Sequence, residues 1–72
     1  MMKLIVRQEL QINDVVTDYR FNDHWKLLDF EITKKGNKRW RCVCLKSGTS
    51  IYSVGQETTW FFSEPFWSYV EK

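Results

Sequence analysis

The stretch Trp25-Lys26-Leu27-Leu28-Asp29-Phe30-Glu31-Ile32-Thr33, then Lys34-Lys35-Gly36-Asn37-Lys38, then Arg39-Trp40-Arg41-Cys42-Val43-Cys44-Leu45-Lys46, decides the fold. In its first part Leu28, Phe30 and Ile32 alternate with Asp29, Glu31 and Thr33. Successive side chains of a strand point to opposite faces, so this alternation predicts a half-buried strand over 25–33. In the last part Trp40, Cys42 and Cys44 fall on one side and Arg41, Val43 and Leu45 on the other, which predicts a returning strand over 39–46. Between them, Gly36 and Asn37 supply the positive φ angles that a tight hairpin needs. The centre of the chain is an antiparallel hairpin.

Outward from it, β-branched and aromatic residues keep coming in short runs cut by turn residues, the pattern of an all-β domain. Residues 4–10 and 15–19 read as strands separated by a turn at Asn13-Asp14, whose side chains bond nearby backbone and tolerate the left-handed region. Residues 21–24 read as a loop with Asn22-Asp23 at its tip. Beyond the hairpin, Ser47-Gly48-Thr49 reads as a turn, 51–54 as a strand broken at Gly55, and 58–62 as the last clear strand. Ser63-Glu64-Pro65 stops the pairing, because proline has no ladder donor. The tail 66–72 reads either as a short helix, with Phe66, Tyr69 and Val70 on one face and Ser63 as N-cap, or as a short strand. Five to six short antiparallel strands must roll up to protect their edges, so residues 1–72 are expected to form a single small β-barrel domain.

Composition agrees with one small folded unit. The chain has 72 residues, 43% hydrophobic and 28% charged, with a net charge of +2. Domains usually take ~100–150 residues, so there is room for one thin core and no more. No apolar run approaches the ~18–20 residues of a membrane-spanning helix, and the N-terminal apolar stretch is too short for a secretory signal, with charges at Arg7 and Glu9. Cys42 and Cys44 stand two apart in a strand, with Cα atoms roughly 6.5–7 Å apart, at or beyond the disulfide limit. They are expected to be free, buried and in a reducing compartment, which points to the cytoplasm.

Catalysis finds little to work with. His24 is the lone histidine, in a turn-to-strand context, so neither a His-based zinc site nor a conventional nucleophile–base pair is expected. No phosphate-cradling glycine loop, nucleophile elbow or zincin motif occurs. The expectation is a protein that is not an enzyme and needs no cofactor or metal.

A resemblance adds to this reading. Asn13-Asp14-Val15-Val16-Thr17, a loop, Trp25-Lys26-Leu27-Leu28-Asp29, Arg39-Trp40-Arg41-Cys42-Val43, a turn and Ile51-Tyr52-Ser53-Val54 together resemble the SH3-like small-barrel pattern. There an acidic turn residue opens the first strand, and hairpins complete the sheet. The resemblance covers roughly residues 12–62, with Asn13 where a glycine is usual. It implies a fold far more than an activity, since such barrels host many functions. The size and style of the chain also resemble small accessory proteins of bacteriophages.

Two segments stand out as candidate surfaces. From 32 to 56 there is no acidic residue but six basic ones, Lys34, Lys35, Lys38, Arg39, Arg41 and Lys46, while the rest of the chain sets five basic against nine acidic residues. A basic hairpin on an otherwise acidic molecule suits an anionic partner, with Lys34, Lys35, Lys38, Arg39 and Arg41 on the anion and Trp40 stacking. Its plainer explanation is a solvated tip that guards an exposed edge. The second segment packs six aromatics between Trp60 and Tyr69. Either it folds back over one barrel mouth, or Trp60, Phe66, Trp67 and Tyr69 form an exposed patch for a protein partner or self-association. Trp25 and Trp67, large and rarely fully buried as a type, are the expected half-exposed anchors. The leading expectation is a non-enzymatic protein-interaction module, an accessory or inhibitory protein docking on a larger partner. The alternative is a nucleic-acid-binding barrel using the 34–46 hairpin, against which the small net charge argues.

Overall fold

The computed structural model describes residues 3–63 and 66–70. Its strands, in chain order, are β1 Lys3–Leu4, β2 Val15–Asp18, β3 His24–Ile32, β4 Lys38–Lys46, β5 Glu57–Trp60 and β6 Trp67–Tyr69. They make one antiparallel sheet in the order β1-β6-β2-β3-β4-β5. Strands β2 to β5 are a meander in which each pairs with the next, and β6 returns to lie between β2 and β1. The chain is mainly β, as its alternation predicts.

The central hairpin forms where expected. Its tip turns at Gly36, with φ of +84°, and is closed by the Thr33 N–H on the Asn37 carbonyl at 2.8 Å and the Gly36 N–H on the Thr33 carbonyl at 2.9 Å. Along β4 the expected sides hold: Trp40, Cys42 and Cys44 are buried, and Arg39 and Arg41 are exposed. Along β3 the alternation changes phase. The register slips between Leu27 and Asp29, so Leu28 is the extra residue of a bulge. Trp25 and Leu27 face inward opposite Cys44 and Cys42, and beyond the bulge Phe30 takes up that face opposite Trp40. An unpaired extra residue bends its strand and increases the local twist. This bend lets one strand pair with β2 at its start and with β4 along most of its length.

The sheet curls around its tryptophans. Trp60 on β5 and Trp67 on β6 are separated in the sheet by three strands, yet their rings lie 5.4 Å apart. Trp25 reaches Trp60 at 5.8 Å from the wall between them. Trp25, Trp40 and Trp67 are fully buried, each removing ~150–250 Å² from water. Trp25 and Trp67 are therefore core residues and not the half-exposed anchors expected of so large a side chain. A thin core built on few positions needs the largest rings to fill it.

Other expectations need correction. Pairing over 4–10 stops after β1, because its partner β6 is only three residues long. The Ile5 N–H still reaches the Trp67 carbonyl at 3.2 Å, then the chain turns through a 3-10 segment, Arg7–Glu9, and buries Leu10. Residues 51–54 are not a strand. Ile51 is 92% exposed, and the loop meets its own polar groups: Ser47 Oγ donates to the Tyr52 carbonyl at 2.6 Å and the Ser53 N–H to Gln56 Oε1 at 3.2 Å. Tyr52 still reaches the core, its ring edge-on to Trp25 at 5.0 Å. β5 ends at Trp60, because Phe62 leaves the strand with φ of +53°, a conformation costly for a bulky residue. Burial of its ring against Trp67 at 4.8 Å offsets that cost. Among the described residues the tail holds no helix, and β6 is a strand paired on both sides. The expected stop at Glu64 and Pro65 lies outside the described residues, as do Glu71 and Lys72.

Two loops are clamped together at the end of the sheet opposite the hairpin tip. Gly48 donates its N–H to buried Asp23 at 2.6 Å, and Thr49 donates to the Phe21 carbonyl at 2.8 Å. A Cβ at Gly48 would fall 1.8 Å from that same carbonyl oxygen, so the close approach requires glycine.

Candidate functional site

The β3–β4 hairpin sorts its charges by register. Directly opposed residues of an antiparallel pair share a face and interact most strongly. Glu31 lies opposite Arg39, and Asp29 opposite Arg41. Both pairs close as ion pairs: Arg39 with Glu31, and Arg41 with both oxygens of Asp29 at 3.1 and 2.8 Å. Arg41 also donates to Glu57 on β5 at 2.5 Å, so one guanidinium ties three strands. The Arg41 guanidinium holds the Asp29 carboxyl below the usual carboxylate range, and the two carboxylates push the arginine further up. Both arginines of the stem are thereby neutralised.

The tip differs. Lys34, Lys35 and Lys38 are exposed, and none has an ion-pair partner among the described residues. The Lys38 ammonium sits over the rings of Phe30 at 4.5 Å and Trp40 at 5.7 Å, a cation–π arrangement that holds its stem along the sheet. Next to the tip opens a cleft of about 730 Å³. It is lined by Lys34 and Lys35 of the turn, Lys38 and Trp40 of β4, and Phe61, Ser63 and Gln8 from other segments. No carboxylate occurs among its described lining residues.

The candidate residues therefore separate. Lys34, Lys35 and Lys38 come together around the cleft. Arg39 and Arg41 point to the outer face and are occupied by carboxylates. Trp40 lies between them in sequence but faces inward at 2% exposure, so it lines the cleft and cannot stack a free base face-on. Of the aromatic group, Trp67 and Tyr69 are buried and Trp60 and Phe66 half-buried, and the rings of Trp60 and Phe66 both pack on Trp67. Arg20 covers Phe66, its guanidinium 3.6 Å from the ring centroid. Four rings packed into or against the core cannot form the expected exposed patch. Of the three consecutive aromatics at 60–62, it is Phe61 that faces outward, at 44% exposure. Gln8 escaped notice because nothing in a strand-like reading of 4–10 brings it to the hairpin tip.

His24 opens β3, half-buried, opposite Thr17 and Lys46. Cys42 and Cys44 are free and buried, and burial, with a smaller push from Asp29, raises the Cys42 thiol to about 12, far from a reactive thiolate. Among the described residues no three His, Cys, Asp or Glu side chains converge as metal ligands, and no helix is long and apolar enough to cross a membrane. Comparison with protein-family models, with curated proteins and with solved structures found no match to this chain.

Proposed function

We propose that this protein is a non-enzymatic interaction module, an accessory protein on an SH3-like barrel that docks on an acidic segment of a larger protein partner through the β3–β4 hairpin tip. One observation carries the reading: three lysines without ion-pair partners among the described residues surround a cleft lined by no described carboxylate. Further along the hairpin the two arginines of β4, Arg39 and Arg41, are both held by carboxylates. The meander β2 to β5, with β6 returning to β2, supports the small-barrel reading. Free buried thiols support a reducing compartment, hence the cytoplasm.

A nucleic acid is the second reading, favoured by one exposed ring, Phe61, beside three lysines, a set that could stack a base and hold phosphates. Asp29, Glu31 and Glu57 weigh against it, since they stand on the stem where a longer run of phosphates would have to pass. The test is a titration of labelled polyglutamate and of labelled single- and double-stranded oligonucleotides at low and moderate salt. Polyglutamate binding that weakens with salt and is lost in Lys34→Glu/Lys35→Glu/Lys38→Glu is the expected result. Tighter, lysine-dependent binding of an oligonucleotide would move the assignment to the second reading. Binding of neither at low salt would remove both.

A further inference from the structure

Resting on that reading, we propose that the cleft takes an aromatic side chain of the partner's acidic segment, so that the recognised unit is one ring flanked by carboxylates.

The cleft is too large and too apolar for a charge site alone. A carboxylate needs only the ammonium groups at its rim, whereas about 730 Å³ lies within the ~300–1,000 Å³ of pockets that engulf a whole group. Its lining includes the rings of Trp40 and Phe61. Phe61 is the informative residue. The neighbouring aromatics Trp60, Phe62, Phe66 and Trp67 all lie in ring pairs, but Phe61 contacts no other described ring. Phe62, beside it, is buried, while Phe61 stays 44% exposed in the cleft lining. A ring entering there would meet Phe61 on one side and the carbon stems of the lysines on the other, with the edge of Trp40 below. Lys38 is already held over Phe30 and Trp40, so its ammonium is pre-positioned at one rim, while Lys34 and Lys35 stand on the turn. Carboxylates on both sides of the inserted ring would then each find a cation. Charge complementarity thus selects an acidic segment, and the apolar interior selects its central residue.

Three labelled short peptides test this with the full chain: one rich in Asp and Glu with a central Phe, the same peptide with Ala in place of that Phe, and a neutral peptide keeping the Phe. Binding is read by fluorescence anisotropy. The acidic Phe peptide is expected to bind at least about tenfold more tightly than its Ala version, roughly the effect of burying two methylene equivalents. Phe61→Ala should bring the Phe peptide down to the Ala level while leaving the Ala peptide unchanged, the coupling expected of groups in contact. Phe61 is partly exposed, and an unchanged thermal midpoint in Phe61→Ala confirms that folding is not what moved. Equal, lysine-dependent binding of both acidic peptides would overturn this inference and leave the docking reading standing. Failure of both acidic peptides to bind would overturn the two together. A labelled single-stranded oligonucleotide that binds more tightly than the acidic Phe peptide, and loses affinity in Phe61→Ala, would overturn it in favour of a nucleic acid.

Discussion

Two segments of extreme composition, the aromatic run over 60–69 and the basic run over 34–46, meet opposite fates in the fold. The aromatic run goes inside or packs against the core, except Phe61, which is exposed. β6 is paired on both sides, by β1 and β2, and its Trp67 meets Trp60, Phe62 and Phe66. The basic run divides in two. Along the stem each outward arginine lies opposite a carboxylate of β3, and Arg41 gains a second from β5. Past the last pair, Ile32 with Lys38, no strand stands opposite, and the lysines of the turn remain unneutralised by any described carboxylate. Composition proposes a surface, but register decides which part of it survives as one.

The largest effect should come from the aromatic side of this contrast. Trp67→Ala removes a ring that is 1% exposed and touches three others. Truncations of this kind cost ~3–5 kcal/mol, against a total of ~5–15 kcal/mol for a typical domain. Urea denaturation should show a much lower midpoint or no folded baseline at all. A midpoint within the range of ordinary surface substitutions would place Trp67 outside the core and reopen the exposed patch.

A second, smaller effect is chemical and lies on the inner wall of the same hairpin. The Cys42 thiol is pushed up to about 12 by burial and, less, by Asp29, while an unfolded cysteine titrates near ~8.5. A group whose folded pKa is raised stabilises fully below its unfolded pKa and loses that contribution as pH rises toward the folded value. Stability should therefore decline above pH ~8.5, with Cys44, its thiol also raised by burial, adding to the fall, read most cleanly below pH ~10, before lysines and tyrosines titrate. Cys42→Ala should make that decline shallower in chemical denaturation at a series of pH values. A slope that is unchanged in the variant would mean that the thiol is not buried as a thiol.

Much of this was legible from the residues, and the misses have identifiable causes. Alternation at Trp40, Cys42 and Cys44 correctly assigned the buried side of β4, and Gly36 correctly placed its turn. Asn13 adopts the left-handed region at φ of +77°, as the turn expected at Asn13-Asp14 allows. On β3 a strict period of two misses Trp25 and Leu27, because the bulge at Leu28 changes the phase and nothing in Leu27-Leu28 announces which leucine is extra. Ile51-Tyr52-Ser53-Val54 has strand composition but spends its polar groups on turns, a tertiary outcome that propensity cannot see. The lysines of the site were visible as a charge run. The cleft was not, because it needs Phe61 and Gln8 brought to the tip from two distant segments.

The finest distinction, between stem and tip, is tested by two variants that should barely unfold the protein. Lys34→Glu/Lys35→Glu should leave the denaturation midpoint within the range of ordinary surface changes while removing anion binding, since neither lysine has an ion-pair partner among the described residues. Arg41→Met should do the reverse: anion binding stays, and a small part of stability goes, because Asp29 and Glu57 lose their shared cation. That loss has a signature in salt and in acid. Both carboxylates are solvent-exposed, so the gap between Arg41→Met and the parent should narrow as ionic strength rises. Asp29 has its pKa lowered by the arginine, so the contribution is present above the ordinary carboxylate range and disappears as pH falls through the depressed value. The two midpoints should converge in acid. A gap that persists at high salt and at low pH would mean that Arg41 acts through the packing of its stem, and the stem would then be neutralised for a reason other than holding three strands together by charge.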